Sequence, residues 1–335
     1  MRVTSKAMLN EFIRILTKKG YKEKDAKESA QIFVDNSLDG MYSHGVNRFP
    51  RVIDYIDKGY IKVDAKETLV QSLGALEIWN GNLAMGNLVA KHLMDRAIEL
   101  AKINGIGAVA IKNTNHWMRG GYYGWQAANA GCASICWTNT MPNMPAWGSI
   151  EAIIGNNPFV LSIPRENNQH LVVDMAMSQF SYGKIEQTKL NNEELNVYGG
   201  YDSKGNLTTN PKEIEKTLRP LPIGYWKGSA LSIGLDLFAT LISSGLSTPM
   251  IGEKCEDEYS LSQIMIAIDV KKLNNLEETE LLINQSIEMI KSSKKVDIDT
   301  EIRYPGEREY RTRIDNLENG IPVNEKIWET IKGIS

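Results

Sequence analysis

The chain has 335 residues, 42% hydrophobic and 24% charged, with 38 basic and 41 acidic side chains and a formal net charge of −3. That balance removes any electrostatic reason to expect nucleic acid or an anionic membrane as partner, yet a local cluster of Arg and Lys can still receive a small anion. No apolar stretch approaches the ~20 residues that span a bilayer, and the charged N-terminus from Arg2 to Glu11 does not read as a secretory signal. The expectation is a cytoplasmic protein with a small-molecule partner. Cys132 and Cys136 lie in an apolar run and are expected to be buried, reduced thiols; with Cys255 they make an odd count without CxxC spacing.

The first sixty residues read as helices. Thr4 or Ser5 caps one carrying Met8, Leu9, Phe12, Ile13, Ile15 and Leu16 and ending near Gly20. Asp25 is expected to cap a second, closing near Gly40, and Val52, Ile53, Tyr55 and Ile56 mark a third that stops by Gly59. Further on, Asn87–Asn104 is helical in pattern and leads through Gly105 and Gly107 into the apolar run Ala108–Ile111. Short β-like runs follow at Ala133–Trp137, Phe159–Ile163 and Leu171–Val173, then a buried helix from Gly228 to Ser244 and a strand from Gln263 to Val270. A charged helix over Glu277–Ser292 and a short one over Val323–Ile334 complete the chain. With no repeat and no long linker, the pattern predicts one compact α/β unit with a helical N-terminal portion.

A Rossmann nucleotide-binding turn needs G-x-G-x-x-G/A between a strand and a helix. The nearest match, Gly105-Ile106-Gly107-Ala108-Val109-Ala110, follows a helix and opens a strand, which is the reverse order. A dinucleotide, if bound, is therefore held by a different architecture.

Four histidines can be weighed singly. His92 lies within a patterned helix and His170 follows the polar stretch Glu166–Gln169, so a structural or exposed setting is expected for both. His44 and His116 differ. They sit in Tyr42-Ser43-His44-Gly45-Val46-Asn47-Arg48 and Asn115-His116-Trp117-Met118-Arg119-Gly120-Gly121, polar and glycine-rich segments of the kind that carry catalytic groups. Histidine suits proton delivery near neutral pH, and Arg48 shares a face with His44 if the segment is helical, where it can clamp a carboxylate. A helix-joining turn with a solvated arginine explains the same residues equally well. No HExxH or CxxC spacing supports a metal site.

Three further segments can face an anionic cofactor. Gly224-Tyr225-Trp226-Lys227-Gly228-Ser229 places a lysine at a helix N-terminus, although Ser229 alone would serve as an ordinary cap. Asp174 follows the run Leu171–Val173, where its carboxylate can accept hydrogen bonds or merely cap a turn. Arg303-Tyr304-Pro305-Gly306-Glu307-Arg308 reads as a Pro-Gly turn, and most such turns are solvent loops.

Taken together, Tyr42–Arg51, Asn115–Gly121 with Tyr123–Gln126, Cys136–Asn139, Val173–Ser178, Gly224–Ser229 and Pro305-Gly306 resemble the malate/L-lactate dehydrogenase-like family of NAD(P)-dependent 2-oxoacid reductases, over nearly the whole length. The resemblance implies a non-Rossmann fold of the α/β (α+β) class, with a helical N-terminal portion on a mixed, largely antiparallel sheet. It implies a helical portion over 1–75 packing with a C-terminal helix over 321–335, and a cofactor- and substrate-binding unit over 76–320. It further implies NADH or alternatively NADPH as cofactor, a homodimer, and a small 2-oxo sugar acid as substrate, with malate, lactate, ureidoglycolate or a cyclic imine acid as the alternative. By the same resemblance His44 is the proton donor and Arg48 and His116 lie in the substrate region. The cofactor contacts are His170, Leu171, Val172, Val173, Asp174, Met175, Ala176, Trp226, Lys227, Gly306, Glu307 and Arg308. Two positions depart from the family: Gly155-Asn156-Asn157-Pro158 stands where Gly-Thr-Asn-Pro is usual, and Glu307 where the most similar members carry His.

Overall fold

The computed structural model describes residues 1–273 and 275–335. A short strand β1 (Arg2–Val3) precedes α1 (Ser5–Lys18) and α2 (Glu23–Leu38), and after the 3-10 turn Tyr42–His44 comes α3 (Phe49–Asp57). Thr4 caps α1 as expected, its Oγ1 accepting the Ala7 N–H at 3.2 Å. The second helix begins earlier than its Asp signal suggests: Lys22 occupies the cap position without a side-chain bond, and Asp25 falls in the first turn, where a carboxylate suits the helix dipole. Phe12, Phe33 and Phe49 knit these three helices together, with Phe12 stacked on Phe49 at 4.0 Å.

Then follow β2 (Thr68–Leu73), β3 (Leu76–Asn80), α4 (Gly86–Asn104), β4 (Ile106–Thr114), α5 (Gly120–Asn129), β5 (Cys132–Thr138), the paired short strands β6 (Met144–Pro145) and β7 (Ala152–Ile154), β8 (Phe159–Ile163) and β9 (Leu171–Met175). A smaller outlying unit holds α6 (Tyr182–Leu190), β10 (Gly200–Tyr201), β11 (Leu207–Thr208) and α7 (Pro211–Thr217) around Ile185, Leu195 and Ile214. The chain returns through α8 (Trp226–Ser243), α9 (Thr248–Lys254), β12 (Leu261–Asp269), α10 (Leu276–Lys291), α11 (Glu307–Asn319), β13 (Ile321–Pro322) and α12 (Glu325–Lys332). Pairing of β13 with β1 brings α12 back to the N-terminus, where Trp328 and Ile331 join the cluster around Phe12.

The main sheet runs β2-β3-β4-β12-β5-β8-β9, and every pairing is antiparallel except β3 with β4. The mixed, largely antiparallel sheet expected from the resemblance is therefore present, and it is not doubly wound. Alternation along β12 builds both layers: Met265 and Ala267 meet α4 and α5, while Ile264 packs with Leu235 and Ala239 of α8. A Cβ at Gly107 would lie 2.1 Å from the Ala97 carbonyl, so this glycine lets α4 close onto β4. Cys132 and Cys136 are buried in that layer.

The expected burial of the helix over Gly228–Ser244 holds only in part. The helix read as buried, α8, is buried on one side only: Ile233, Leu237, Phe238 and Leu241 are 38%, 54%, 49% and 76% exposed. Uniform apolarity conceals which face meets the core, because periodicity vanishes when both faces are hydrophobic. Among the described residues no single helix is long and apolar enough to cross a membrane.

Candidate active site

The turn carrying His44 is lashed to the last turn of α2. The Val46 N–H donates to Ser37 Oγ at 2.9 Å, and Asn36 Nδ2 donates to the His44 carbonyl at 3.0 Å. Gly45 makes this approach possible, since a Cβ there would lie 2.2 Å from Ser37 Oγ and 3.0 Å from the Phe33 carbonyl. The segment is not one continuous helix: the 3-10 turn ends at His44 and Arg48 occupies the cap position of α3. The helical i, i+4 pairing of His44 with Arg48 is thus corrected, because Gly45 breaks the turn. Arg48 instead meets Glu258, Nη2 to Oε2 at 3.1 Å.

His116 is delivered by the end of β4. The Asn115 side-chain amide reaches the carbonyls of Tyr60, Leu83 and Ala84, and Gln263 Nε2 donates to the Asn115 carbonyl at 3.1 Å. Met118 takes a positive φ of 70°, a strained conformation for its residue type of the kind that collects at functional sites. Its N–H donates to His116 Nδ1 at 2.9 Å, which leaves the proton of the neutral ring on Nε2. His44 and His116 come together with ring centroids 5.8 Å apart and planes 19° from parallel. His44 Nδ1 lies 3.0 Å from Ser43 Oγ, and His116 Nε2 lies 4.0 Å from Glu258 Oε2.

A buried charge chain flanks this pair. Arg119, with 3% of its side chain exposed, bonds Asp39 and lies 3.4 Å from Asp174 Oδ2, which also accepts the Gly121 N–H at 2.9 Å. Arg313 bonds Asp39 from its other side at 2.7 Å and also bonds Asp35. Burial, with the cations Arg48 and Arg119 adding to it, holds the His44 pKa down to about 4. Burial and then Arg48 hold His116 well below the ordinary histidine range. Both rings are neutral in the free protein at pH 7, inside a cationic surround that an anionic ligand would offset.

The three segments read as cofactor contacts converge along one strand. β9 forms the free edge of the sheet, and its Val172 N–H donates outward to the Pro305 carbonyl at 2.9 Å. Antiparallel alternation then points the Asp174 backbone N–H and C=O off the same edge, open to a ligand. Gly306, at φ 96°, lies against the start of β9, where a Cβ would stand 3.0 Å from the His170 carbonyl. Beyond the other end, the Met177 N–H bonds the Asn156 carbonyl and the Ile223 N–H bonds the Met177 carbonyl, both at 2.8 Å, which brings Gly224–Lys227 alongside. Tyr225 caps α8 at φ 61° with no side-chain bond, and Lys227 is exposed. Ser229 is not the cap; its Oγ accepts the Trp147 N–H. The five steps from Val172 to Met177 cover about 16 Å at roughly 3.3 Å each. An open strand edge that ends beside the first turn of α8 and an exposed lysine fits an extended nicotinamide dinucleotide.

Other site residues take different places. His170 is buried, not in an exposed loop: Nδ1 accepts the Arg165 N–H and Nε2 lies 2.9 Å from Asn129 Oδ1. The Pro-Gly turn proves to be the start of α11, whose Glu307 carboxylate is buried against Lys291 and Arg311 and does not face the strip. Arg308 is exposed beside Glu309, Trp226 is 60% exposed, and Val172 is buried. Leu171, Val173, Met175 and Ala176 are half-buried along the strip. Asn156, in place of the usual Thr, exchanges hydrogen bonds with Asn143 and offers its carbonyl to Met177. Sequence reading missed Arg119, Asp39 and Glu258. The Arg119 signal lay within the His116 segment, whereas Glu256-Asp257-Glu258 looks like any solvated acidic run.

The family model for malate/L-lactate dehydrogenase matches residues 3–332. A 2,3-diketo-L-gulonate reductase from Pasteurella multocida is 47% identical over 334 residues, covering 100% of both chains. Among solved structures, malate dehydrogenase from Pyrococcus horikoshii aligns with a TM-score of 0.90 and 31% identity, over 100% of this chain and 96% of that one. Sulfolactate dehydrogenase from Methanocaldococcus jannaschii gives 0.90 and 29%, with the same coverage. The chain belongs to the malate/L-lactate dehydrogenase family, whose expected resemblance and non-Rossmann fold are both found here.

Proposed function

We propose that this protein reduces a small 2-oxo sugar acid, 2,3-diketo-L-gulonate first among them, to its hydroxy acid, using NADH in preference to NADPH. The observation that carries the reading is the stacked His44–His116 pair inside a surround of Arg48 and Arg119. The 47% identical relative bearing the diketogulonate reductase name supports the substrate choice.

The bound nicotinamide supplies the hydride. The chain's own residues do the rest. Arg48 keeps guanidinium N–H groups beyond the one on Glu258 to receive the substrate carboxylate, and His116 Nε2–H donates beside it. As that carboxylate offsets the local cations, the His44 pKa rises toward neutrality, and the ring then protonates the carbonyl oxygen as charge develops there. Backbone groups of Asp174, the start of α8 with Lys227, and the turn at Gly306 hold the cofactor.

The apolar face of α8 supports a homodimer, since a patch of that composition is ordinarily covered. The free cysteines Cys132, Cys136 and Cys255 agree with a reducing, cytoplasmic setting. The test is NADH and NADPH oxidation followed by absorbance across 2,3-diketo-L-gulonate, oxaloacetate, pyruvate and sulfopyruvate. The expected result is highest kcat/KM with the diketo acid and NADH. A tenfold preference for oxaloacetate or sulfopyruvate, the oxidised counterparts of the substrates named for the structural relatives, would replace the substrate assignment.

A further inference from the structure

We propose that Glu258 is a positioning residue of this reaction, fixing Arg48 and setting the charge beside His116 and His44. The assignment rests on the reading of His44 as proton donor.

Glu258 is only 8% exposed, in the short loop between α9 and β12. One oxygen, Oε2, lies 3.1 Å from Arg48 Nη2 and 4.0 Å from His116 Nε2. Because Met118 occupies Nδ1, Nε2 is the edge of His116 that carries hydrogen, so the carboxylate bonds Arg48 and stands near a second donor, beyond direct hydrogen-bond distance.

The loop is itself tied down residue by residue. Glu256 accepts from the Tyr60 hydroxyl at 3.0 Å, Asp257 accepts from the Tyr55 hydroxyl and from Arg51, and Tyr259 stacks on Tyr60 at 4.8 Å. Three consecutive acids therefore latch the start of β12 to α3 and to the residues that flank it, Arg48 before and Tyr60 after. Their roles differ. Asp257 is spent on Arg51 and Tyr55, while Asp39 and Asp174 are spent on Arg119. That leaves Glu258 as the carboxylate that offsets Arg48 next to the histidines.

Removing the charge while keeping the shape should separate binding from turnover. In Glu258→Gln, Arg48 is no longer offset, so substrate carboxylate is attracted at least as well as before. The same uncompensated cation opposes protonation of His44. The charged groups near the two rings are Arg48, Arg51 and Arg119, with Glu258 beside His116; Asp257 lies behind Arg51, and Asp39 and Asp174 lie behind Arg119, so the substitution shifts the balance toward positive charge.

The experiment measures kcat and KM for the 2-oxo acid from pH 5 to 9 in wild type, Glu258→Gln and Glu258→Asp, with calorimetric binding of oxamate, an unreactive 2-oxo acid analogue. Glu258→Gln is expected to lose about tenfold in kcat at pH 7. KM should not rise, oxamate should bind no more weakly, and the alkaline limb should move down by about half a pH unit or more. Glu258→Asp, which keeps the charge, should restore the limb and only part of kcat. Unchanged kcat and limb in Glu258→Gln would overturn the proposal, as would a tenfold rise in KM with kcat kept. Weaker oxamate binding in Glu258→Gln overturns it even without turnover data. If the wild type turns over but His44→Ala matches it, the donor reading fails instead.

Discussion

Replacing Arg119 by Met should destabilise the protein and at the same time make His44 easier to protonate. Arg119 joins two buried acids from different layers, Asp39 at the end of α2 and Asp174 on β9. Removing one partner of a buried ion pair typically costs about 3–5 kcal/mol, because the remaining charge is left without compensation. Here the lower end applies: Asp39 keeps Arg313 at 2.7 Å, and Asp174 keeps the Gly121 N–H at 2.9 Å. A loss of about 3 kcal/mol corresponds to roughly 6 °C in Tm at about 2 °C per kcal/mol for a chain of this size. The electrostatic consequence runs the other way. His44 is held near 4 by burial and by Arg48 and Arg119, so deleting one of those cations raises its titration point. Burial already raises the Asp174 pKa and Arg119 opposes that rise, so Asp174 should also take up a proton more readily. Calorimetry gives the first quantity and histidine-resolved NMR titration the second. A titration point for His44 that stays put or falls in Arg119→Met would refute the charge-chain account, whatever happens to Tm.

Three further outcomes follow from the same geometry. His44→Ala should lower kcat by roughly 10²–10⁴-fold while NADH still quenches or enhances its usual fluorescence, checked by steady-state kinetics and titration. His92 bridges Glu67 at 3.1 Å and Glu28 at 3.2 Å, and the Glu67 hydrogen bond leads the causes that raise its pKa. Since the folded pKa lies above the unfolded value of about 6.5, this clip stabilises fully below that value and fades as pH rises through the folded pKa. The Tm gap between wild type and His92→Gln should therefore be wider at pH 6 than at pH 9; an equal gap at both sinks the linkage. Leu237→Asp with Phe238→Asp on the exposed face of α8 should yield a monomer by light scattering without loss of helix content, and an unchanged mass would remove α8 from the dimer contact.

Much of the framework was legible in the sequence because it rests on local signals. Thr4 caps α1, apolar period fixes α4, and the run Phe159–Ile163 is a strand with those very limits. The reversed order at Gly105–Ala110 correctly excluded a Rossmann turn, and the polar settings of His44 and His116 singled out two residues whose rings the fold stacks together. What stayed hidden depends on distant partners. Nothing local to Glu258 shows that it will meet Arg48, which is 210 residues away. His170 follows four polar residues yet is buried, because Asn129 and the Arg165 N–H satisfy both ring nitrogens. Glu307 sits in an apparently solvent-facing turn, but α11 begins there and turns its carboxylate inward onto Lys291.

The same contrast explains how this fold can hold a dinucleotide without a glycine-rich loop. A Rossmann site concentrates its backbone donors in one turn, so the sequence advertises it. On the proposed reading the donors are spread over an edge strand, the first turn of a helix and a second turn, from residues as far apart as Asp174, Lys227 and Gly306. An edge strand is ordinarily a liability, since its unpaired N–H and C=O groups invite another strand. In β9 the Pro305 carbonyl takes the Val172 N–H and leaves the next outward pair, that of Asp174, unfilled. The Asp174 side chain meanwhile points into the protein, where Arg119 ties it to the layer that carries His44. One residue thus offers its backbone to the proposed cofactor strip and its carboxylate to the charge chain beside His44. That double attachment, rather than a sequence motif, is what couples the two halves of the site.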